Sequence, residues 1–332
     1  MKINAAIHDG WLLIEPSKKI DKWFLYYLFI FLRPRLVGMS SGTVFRNLKT
    51  DIVRNYKIAM PTLSEQRAIA EILSSIDFKI ELNNQMNATL EAMAQAIFKQ
   101  WFIDFEFPDE NGKPYKSSGG KMVDSELGKI PKGWKIGMVK DLGRVICGKT
   151  PSTRDKENYG IKIPFITIPD MHKNTYIIKT ERYLSEIGAE TQQKKELPLF
   201  SVCVSCIATP GIVALTSERS HTNQQINSII PTESIGPYYV YLIMKSKSTE
   251  IKQKGLGGTA TLNLNTGDFE RIKVIIPAEI SLLRFNISIK GIFEQLLCNS
   301  RQSVTLQDYR DKLIPKLMSG QIRVPVEVIK NA

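Results

Sequence analysis

Two long stretches of the chain carry apolar residues at alternating spacings of three and four, which is the pattern of one face of an α-helix. One stretch follows Pro61 and the other follows Pro277. We predict two long helices, over residues 61–107 and 277–320, that pack on each other as a coiled coil. The residues predicted to pair are Ile69, Leu73, Ile76, Ile80, Asn83, Leu90 and Ile97 in the first helix, and Ile289, Ile292, Leu296, Asn299, Leu306 and Leu313 in the second.

Polar residues interrupt the apolar pattern at matching places in the two predicted helices. Asn83 and Asn87 interrupt the first, while Asn299 and Ser303 occupy the same register in the second. A buried Asn between paired helices fixes their register at a cost in stability. The matched positions therefore favour one packed pair over the alternative of two unrelated amphipathic helices. Arg310 is a further departure from the apolar pattern.

An internal repeat relates the regions that precede the two helices. Lys57–Pro61 (KIAMP) matches Lys273–Pro277 (KVIIP) at an offset of 216 residues, and weaker matches keep that offset. A constant offset indicates two copies of one domain-plus-helix unit. Residues 1–60 correspond only to the last part of the region 134–276. We therefore predict a complete domain at 134–276, a C-terminal remnant of a first copy at 1–60, a linker at 108–133 and a tail at 321–332.

The complete copy alternates short β-type runs with turn residues. The predicted strands are Lys162–Ile168, Val202–Ile207, Ile226–Ile230 and Arg271–Ile276, and Tyr238–Lys254 is predicted to be a helix. Together with the two long helices, these elements indicate the α+β fold class. In the first copy, Trp23–Leu32 is about half as long as a membrane-spanning helix needs to be, so we predict a buried helix there.

Composition and charge bear on the class of partner and on the compartment. The chain has 45 Lys and Arg against 33 Asp and Glu, a net charge of +12. Such a basic excess favours a polyanionic partner, because neutralising phosphates releases condensed counterions, although many soluble proteins are simply basic. Four scattered cysteines, Cys147, Cys203, Cys206 and Cys298, do not suit a disulfide framework. We therefore expect a reducing cytoplasm. Because the apolar run Trp23–Leu32 is too short to span a bilayer, we also expect no membrane partner.

One segment matches a nucleotide-binding motif in its letters only. Gly143–Thr150 (GRVICGKT) fits the formula G-x-x-x-x-G-K-[ST]. Its intervening residues, Arg144–Cys147, predict an apolar strand instead of a loop that cradles phosphates. Pro151 also pushes Thr150 away from helical geometry. A nucleotide-binding enzyme is therefore a remote alternative.

Other patterns that suggest catalysis or metal binding are incomplete. Cys203 and Cys206 lie three positions apart in an apolar run, so in a strand they would face opposite sides, and we predict buried structural cysteines. The three histidines are isolated in the sequence, and no complete nuclease or amino-methyltransferase motif is present. We therefore predict no catalytic site and no metal site.

Three polar loops of the complete copy carry side chains that suit a DNA-binding surface. Arg, Asn and Gln pair with guanine and adenine edges, while Lys and glycine-rich backbone suit phosphates. Each loop alone is more often a solvated turn, but three such loops in a basic domain favour DNA. The candidate DNA-binding residues are Lys149, Thr150, Ser152, Thr153 and Arg154 in the first loop, Arg219, Asn223, Gln224 and Gln225 in the second, and Lys252, Lys254, Gly257, Gly258 and Thr259 in the third.

The whole arrangement resembles the specificity subunit of type I restriction–modification enzymes. The motifs that carry the resemblance cover nearly the whole chain. They are Pro61 with Glu65-Gln66, Gly128–Trp134 (GKIPKGW), Gly148–Ser152 (GKTPS), Asn223–Ile226 (NQQI), Gly257–Thr259 (GGT) and Leu313–Gly320 (LIPKLMSG).

This resemblance implies a role in DNA restriction and DNA methylation. Two target-recognition domains would each read one half of a split site in double-stranded DNA, held apart by an antiparallel pair of spacer helices. The chain would bind methyltransferase (modification) subunits, and the restriction subunit would join that complex. S-adenosylmethionine, ATP and Mg would be bound by those partner subunits, and no cofactor by this chain.

The chain departs from the family pattern at its start, because residues 1–60 match only the tail of a first recognition domain. Another specificity chain is one candidate for completing the missing domain. The alternative function is a truncated assembly scaffold, which binds partner subunits through its helices without reading DNA on its own.

Overall fold

The computed structural model describes residues 11–40, 48–172, 174–255 and 263–325. The chain divides into two compact units, which are Met1–Leu82 with Thr305–Ala332 and Asn83–Val304. The helices are α1 (Lys22–Gly38), α2 (Thr50–Arg54), α3 (Leu63–Phe102), α4 (Ile168–Met171), α5 (Glu186–Glu190), α6 (Pro237–Ser246), α7 (Ser248–Gly255), α8 (Thr266–Glu270) and α9 (Glu279–Met318). The strands are β1 (Met122–Val123), β2 (Ile130–Pro131), β3 (Lys135–Met138), β4 (Gly143–Cys147), β5 (Tyr159–Ile166), β6 (Tyr176–Ile177), β7 (Arg182–Leu184), β8 (Val202–Ser205), β9 (Val213–Thr216), β10 (His221–Thr222), β11 (Ile226–Pro231) and β12 (Lys273–Ile276).

The helices repeat at the spacing that the sequence repeat predicts. The long helices α3 and α9 both contain 40 residues, and α9 begins and ends 216 positions after α3. The short helices α2 and α8 both contain 5 residues and show the same displacement. The prediction of two long helices is confirmed, and both lie within the predicted ranges 61–107 and 277–320.

In the first unit, α1 packs one side against parts of the long helices. Its N-terminal amides are capped by Asp21, whose carboxylate accepts from the backbone N–H groups of Trp23 and Phe24. The core of this unit contains Phe24, Tyr27, Leu28, Leu32, Leu36, Ile69, Ala70, Leu73, Ile314 and Leu317. The prediction of a wholly buried helix over Trp23–Leu32 is wrong on one side, because Trp23, Tyr26 and Ile30 are exposed.

A polar contact explains the departure at Arg310. In the first unit, Arg310 Nη1 donates to Asp77 Oδ1 at 2.7 Å, and Tyr27 Oη donates to Asp77 Oδ2 at 2.6 Å. Arg310 and Asp77 are partly buried, so this ion pair is shielded more than a surface pair is. The arginine therefore has a partner within the helical core of its unit.

The second unit contains the strand-rich region. A five-stranded sheet has the order β4-β11-β8-β9-β6, and a three-stranded sheet has the order β10-β5-β7. Separate two-stranded pairs join β12 to β3 and β1 to β2. The β1–β2 pair lies in the segment 108–133, which the sequence predicts to be a linker.

Helix α6 lies in the core of the second unit because it is apolar on all sides. Tyr238 to Met244 are all buried. The helix meets an aromatic cluster of α3 and α9, in which Phe102 lies 4.8 Å from Tyr239 and 4.6 Å from Phe285 between ring centroids. Edge-on contacts of this kind stabilise a core beyond simple burial. The strand-rich region and both long helices thus share one hydrophobic core within this unit.

The prediction of a single helix over Tyr238–Lys254 is wrong, because the helix breaks at Lys247. The Lys247 amide caps α6 by donating to the backbone carbonyls of Ile243 and Met244. Ser248 then starts α7, and its hydroxyl donates to Gly211 O at 2.6 Å. The break separates the fully buried α6 from the mostly polar α7.

The long helices run antiparallel within the second unit. Asn83 of α3 contacts Ser303 of α9, whereas Phe98, further along α3, contacts Phe285, near the start of α9. Asn83 Nδ2 also donates to Asn299 O at 3.4 Å, and Asn299 Nδ2 donates to Asn87 Oδ1 at 3.0 Å. Under the repeat, Asn83 matches Asn299 and Asn87 matches Ser303. The contacts are therefore reciprocal, as across a local two-fold axis.

The predicted pairing residues differ in their burial. Ile69, Leu73, Ile80, Asn83, Ile289, Leu296 and Asn299 are buried, while Ile76, Leu90, Ile97, Ile292, Leu306 and Leu313 are half-buried. Neighbouring residues that the sequence analysis did not include, namely Phe98, Phe293 and Ile314, are buried. A straight α-helix has about 3.6 residues per turn, so a pattern with a strict 3.5-residue repeat rotates slowly around it. The buried face therefore shifts to the neighbouring residue along each helix.

No helix in the described part of the chain is long and apolar enough to cross a membrane.

Candidate nucleic-acid interface

Three connections of the second unit meet at one end of the five-stranded sheet. The last residue of β4, Cys147, pairs with Asn227 near the start of β11. The first residue of β11, Ile226, pairs with Ser205 at the end of β8, and β9 begins beside that end. Antiparallel neighbours place the end of one strand next to the start of another. We call this edge the loop end and define it as residues 148–158, 206–212 and 223–225.

The segment after β4 brings the first candidate loop to the loop end. Backbone bonds hold its start, because Lys149 N donates to Thr222 O at 3.0 Å and Gly148 N donates to Ile226 O at 3.1 Å. A Cβ at Gly148 would overlap the backbone of Thr222 and Asn223, which explains the glycine. Beyond it, the side chains of Lys149, Ser152, Thr153 and Arg154 are exposed, and Thr150 is half-buried.

The second candidate loop is joined to the first by a side-chain hydrogen bond. Thr150 Oγ1 donates to Gln224 Oε1 at 2.7 Å, and Gln224 is exposed. Its neighbours bond to each other, because Asn223 Nδ2 donates to Gln225 Oε1 at 2.9 Å, and both are half-buried. Asn223 and Gln225 therefore shape the loop, whereas Gln224 presents its side chain to solvent.

Arg219 is paired within the protein. Its Nε donates to Glu196 at 2.8 Å, and its Nη1 donates to Glu186 at 3.3 Å. Two carboxylates thus compete for the guanidinium that a guanine edge would need. Among the predicted DNA-binding residues, Arg219 is the one that the structure makes least suited to this role.

The third candidate loop is described only in part. Lys252 and Lys254 are exposed on α7. The last residue of α7, Gly255, packs against Pro210 of the loop end. Gly257, Gly258 and Thr259 lie outside the described residues.

The segment 206–212 also lies at this edge, although it was not among the candidate loops predicted from the sequence. Ala208 adopts a left-handed backbone conformation with φ 63°, which is uncommon for a residue other than glycine. Ser205 braces the turn, because its hydroxyl donates to Thr209 O at 2.6 Å and accepts from Ile212 N at 2.9 Å. Ala208 and Thr209 are exposed. The Thr-Pro-Gly turn after an apolar run was the signal available in the sequence.

A buried histidine lies next to the loop end in sequence and structure. His221 in β10 is fully buried, and neither of its ring nitrogens has a hydrogen-bond partner in the described structure. Burial lowers the pKa of His221; the carboxylate of Glu196 opposes this shift, and the charge of Arg219 adds to it. The imidazole is therefore held in its neutral form.

The segments that resemble nucleotide-binding or metal-binding motifs form part of the sheet and the core of the second unit. Gly143–Cys147 forms the strand β4, so the first half of the P-loop-like sequence is a sheet strand. Cys203 and Cys206 are buried, and burial raises the pKa of both thiols to about 12, which keeps them protonated. In the described residues, no group of three or more His, Cys, Asp or Glu side chains is arranged to hold a metal ion.

Comparison with known proteins assigns the chain to a family. The family described as "Type I restriction modification DNA specificity domain" matches residues 3–92 and 131–280. The specificity subunit of the type I restriction enzyme HindI from Haemophilus influenzae is 36% identical over 375 residues, which covers 96% of this chain and 82% of that protein. The MjaIX specificity subunit from Methanocaldococcus jannaschii is 28% identical and covers 97% and 74%, respectively.

A solved structure supports the fold. The S subunit of the type I restriction–modification system from M. genitalium matches with a TM-score of 0.55 at 15% identity. The match covers 90% of this chain and 73% of that chain.

Proposed function

The chain belongs to the family of type I restriction–modification DNA specificity proteins, and on that basis we propose that it reads double-stranded DNA with the loop end. The proposal rests on two loops that are joined by a hydrogen bond. The first loop exposes two cations, and the second exposes an amide side chain. Lys149 and Arg154 are exposed cations that would contact phosphates, and the exposed Gln224 would offer its amide to an adenine edge.

Within a type I complex, this chain would serve as a recognition component without a catalytic centre. It would direct methyltransferase and endonuclease subunits to a split target site, and those subunits would bind S-adenosylmethionine, ATP and Mg. The names of the relatives, which are specificity subunits of restriction enzymes, support the recognition role of this chain.

Charge reversal tests the proposal. We expect the double variant Lys149→Glu/Arg154→Glu to bind duplex DNA more weakly than the unmodified chain. The salt dependence, which is the slope of log K against log salt concentration, should also become shallower by about 1 for every phosphate that the variant no longer neutralises. DNA binding by the full chain, alone and with its methyltransferase subunit, is measured by fluorescence anisotropy over a series of salt concentrations.

A matched control lies at the opposite end of β4. Lys140 is exposed and precedes that strand, so Lys140→Glu makes the same charge change as Lys149→Glu alone, but away from the loop end. It should change DNA affinity much less. Equal losses for Lys140→Glu and for the double variant would contradict the proposal. Unchanged DNA binding and partner assembly in the double variant would favour the assembly scaffold.

A further inference from the structure

A three-residue bulge in β5 carries an unusually exposed isoleucine. In the pairing of β5 with β7, Tyr159 and Ile163 both lie opposite Leu184, so residues 160–162 stand outside the ladder. Ile161 is at the centre of this bulge, and 90% of its surface is exposed. This is the largest exposed fraction of any large hydrophobic residue in the described part of the chain.

Folding of the second unit gives no reason for an isoleucine at this position. The small core beneath β5 contains Ile163, Phe165, Leu184 and Ala189, with Tyr159 packed against it, and Ile161 does not take part. Bulges commonly turn a side chain away from a sheet for a functional purpose. The apolar character of Ile161 thus has no use within the described structure.

The base of the bulge is fixed to the loop end. Tyr159 Oη donates to Pro151 O at 2.9 Å, and Asn158 Nδ2 donates to Ser152 O at 3.0 Å. The guanidinium of Arg182 lies over the Tyr159 ring, 4.6 Å from its centroid. These contacts hold the bulge beside the first candidate DNA-binding loop, so Ile161 is pre-positioned at the edge of the same surface.

Exposed cations flank the bulge. Lys162 follows Ile161 directly, and Arg154 and Lys156 precede the strand in the same connection. No ion pair among the described residues involves these three side chains, although Asp155 and Glu157 lie between them in sequence. An exposed apolar side chain surrounded by unpaired cations suits a ligand whose phosphates border a groove that contains apolar groups. Duplex DNA has both, and its major groove admits a two-stranded β-ribbon.

We propose that Ile161 contacts the 5-methyl group of a thymine in the major groove and thereby makes that base part of the recognised sequence. This inference rests on the proposed function of the loop end. Apolar side chains recognise thymine through this methyl group, which no other DNA base carries at that position. Lys162 would hold the neighbouring phosphate.

The test removes the methyl group from the base, or truncates the isoleucine side chain that is proposed to contact it. The probe is the duplex that the full chain enriches from a randomised library, together with duplexes in which each thymine in turn is replaced by deoxyuridine. For the unmodified chain, we expect one replacement to weaken binding about four-fold, which corresponds to about 0.8 kcal/mol for one buried methyl group. For Ile161→Ala, binding of the original duplex should be weaker, and the same replacement should have no effect.

Controls separate this contact from other causes. Ile287 is also a strongly exposed isoleucine, on α9, and Ile287→Ala should retain the deoxyuridine effect. The Tm of Ile161→Ala should equal that of the unmodified chain, because the side chain is not in a core.

The remaining outcomes would overturn the inference. Unchanged binding by Ile161→Ala would mean that the isoleucine does not touch the DNA. An equal reduction on thymine and deoxyuridine duplexes would exclude the methyl group and indicate a wedge between base pairs instead. If the unmodified chain enriched no sequence, the proposed function itself would fail.

Discussion

At the scale of single residues, the buried His221 links the stability of the second unit to pH. Its folded-state pKa lies below the ordinary value because burial penalises the charged imidazolium. In the unfolded chain the same group is exposed and takes up a proton more readily. The unfolded state therefore binds more protons as the pH falls through the ordinary histidine range, and stability falls with it.

We predict that His221→Phe flattens this pH dependence. For the unmodified chain, the contribution of His221 to the free energy of unfolding should be at its maximum above about pH 6.5, the ordinary histidine pKa. Below that pH the free energy of unfolding should decline. The variant should lose less between pH 7 and pH 5, as measured by urea unfolding of the full chain. His172 is exposed, so His172→Phe is the control and should leave the slope unchanged. A steeper slope in His221→Phe than in the unmodified chain would refute the account.

The candidate DNA-binding residues differ in how much of their environment a local sequence pattern can predict. The exposure of Lys149 and Arg154 follows from local turn chemistry, which the sequence carries. The pairing of Arg219 with Glu186 and Glu196 depends on residues 33 and 23 positions away. Only the tertiary arrangement brings those carboxylates near, so no local pattern could reveal that Arg219 is engaged.

At the scale of elements, the reciprocal asparagine contacts fix the register of the long helices in the second unit. Asn83 Nδ2 has acceptors on three α9 residues, which are Asn299, Gln302 and Ser303. Sliding the helices by one turn would separate the buried polar side chains of Asn83, Asn299 and Ser303 from these partners. The two helices therefore have one preferred alignment.

We predict that Asn83→Ala lowers the free energy of unfolding by about 1–3 kcal/mol, because it leaves buried partners on α9 without a donor. The adjacent Asn84 is exposed, and Asn84→Ala should change stability by about 0.5 kcal/mol or less. Chemical denaturation of the full chain monitors both variants. If the two substitutions had equal effects, the buried polar layer would not set the alignment.

The elements differ in how far the sequence predicted them. α3 and α9 repeat their apolar pattern over many turns, so periodicity identified both. β9 is only four residues long and fully buried, without the alternation that identifies a strand, and the sequence analysis missed it. The matching segments 57–60 and 273–276 illustrate the role of context. The latter forms β12 by pairing with β3, while the former forms no strand among the described residues.

Across the whole molecule, the two copies of the repeat match in their helices α2 and α3 against α8 and α9. The structure packed around these helices differs between the two copies. Trp23 and Ile58 in the first unit are exposed, whereas Tyr239 and Val274, the residues 216 positions later, are buried in the second. The strand-rich region that buries the second pair has no equivalent among the described residues of the first unit. We therefore assign sequence reading to the second unit.

We propose that the loop end gives this chain a DNA sequence preference. The most direct measurement is selection of bound duplexes from a randomised library by the full chain with its methyltransferase subunit, followed by sequencing. We expect one enriched sequence for the unmodified chain and an altered base preference at one position for Gln224→Ala. We also expect Lys140→Glu to enrich the same sequence as the unmodified chain. Enrichment of no sequence by the unmodified chain, or an unchanged base preference in Gln224→Ala, would contradict this proposal.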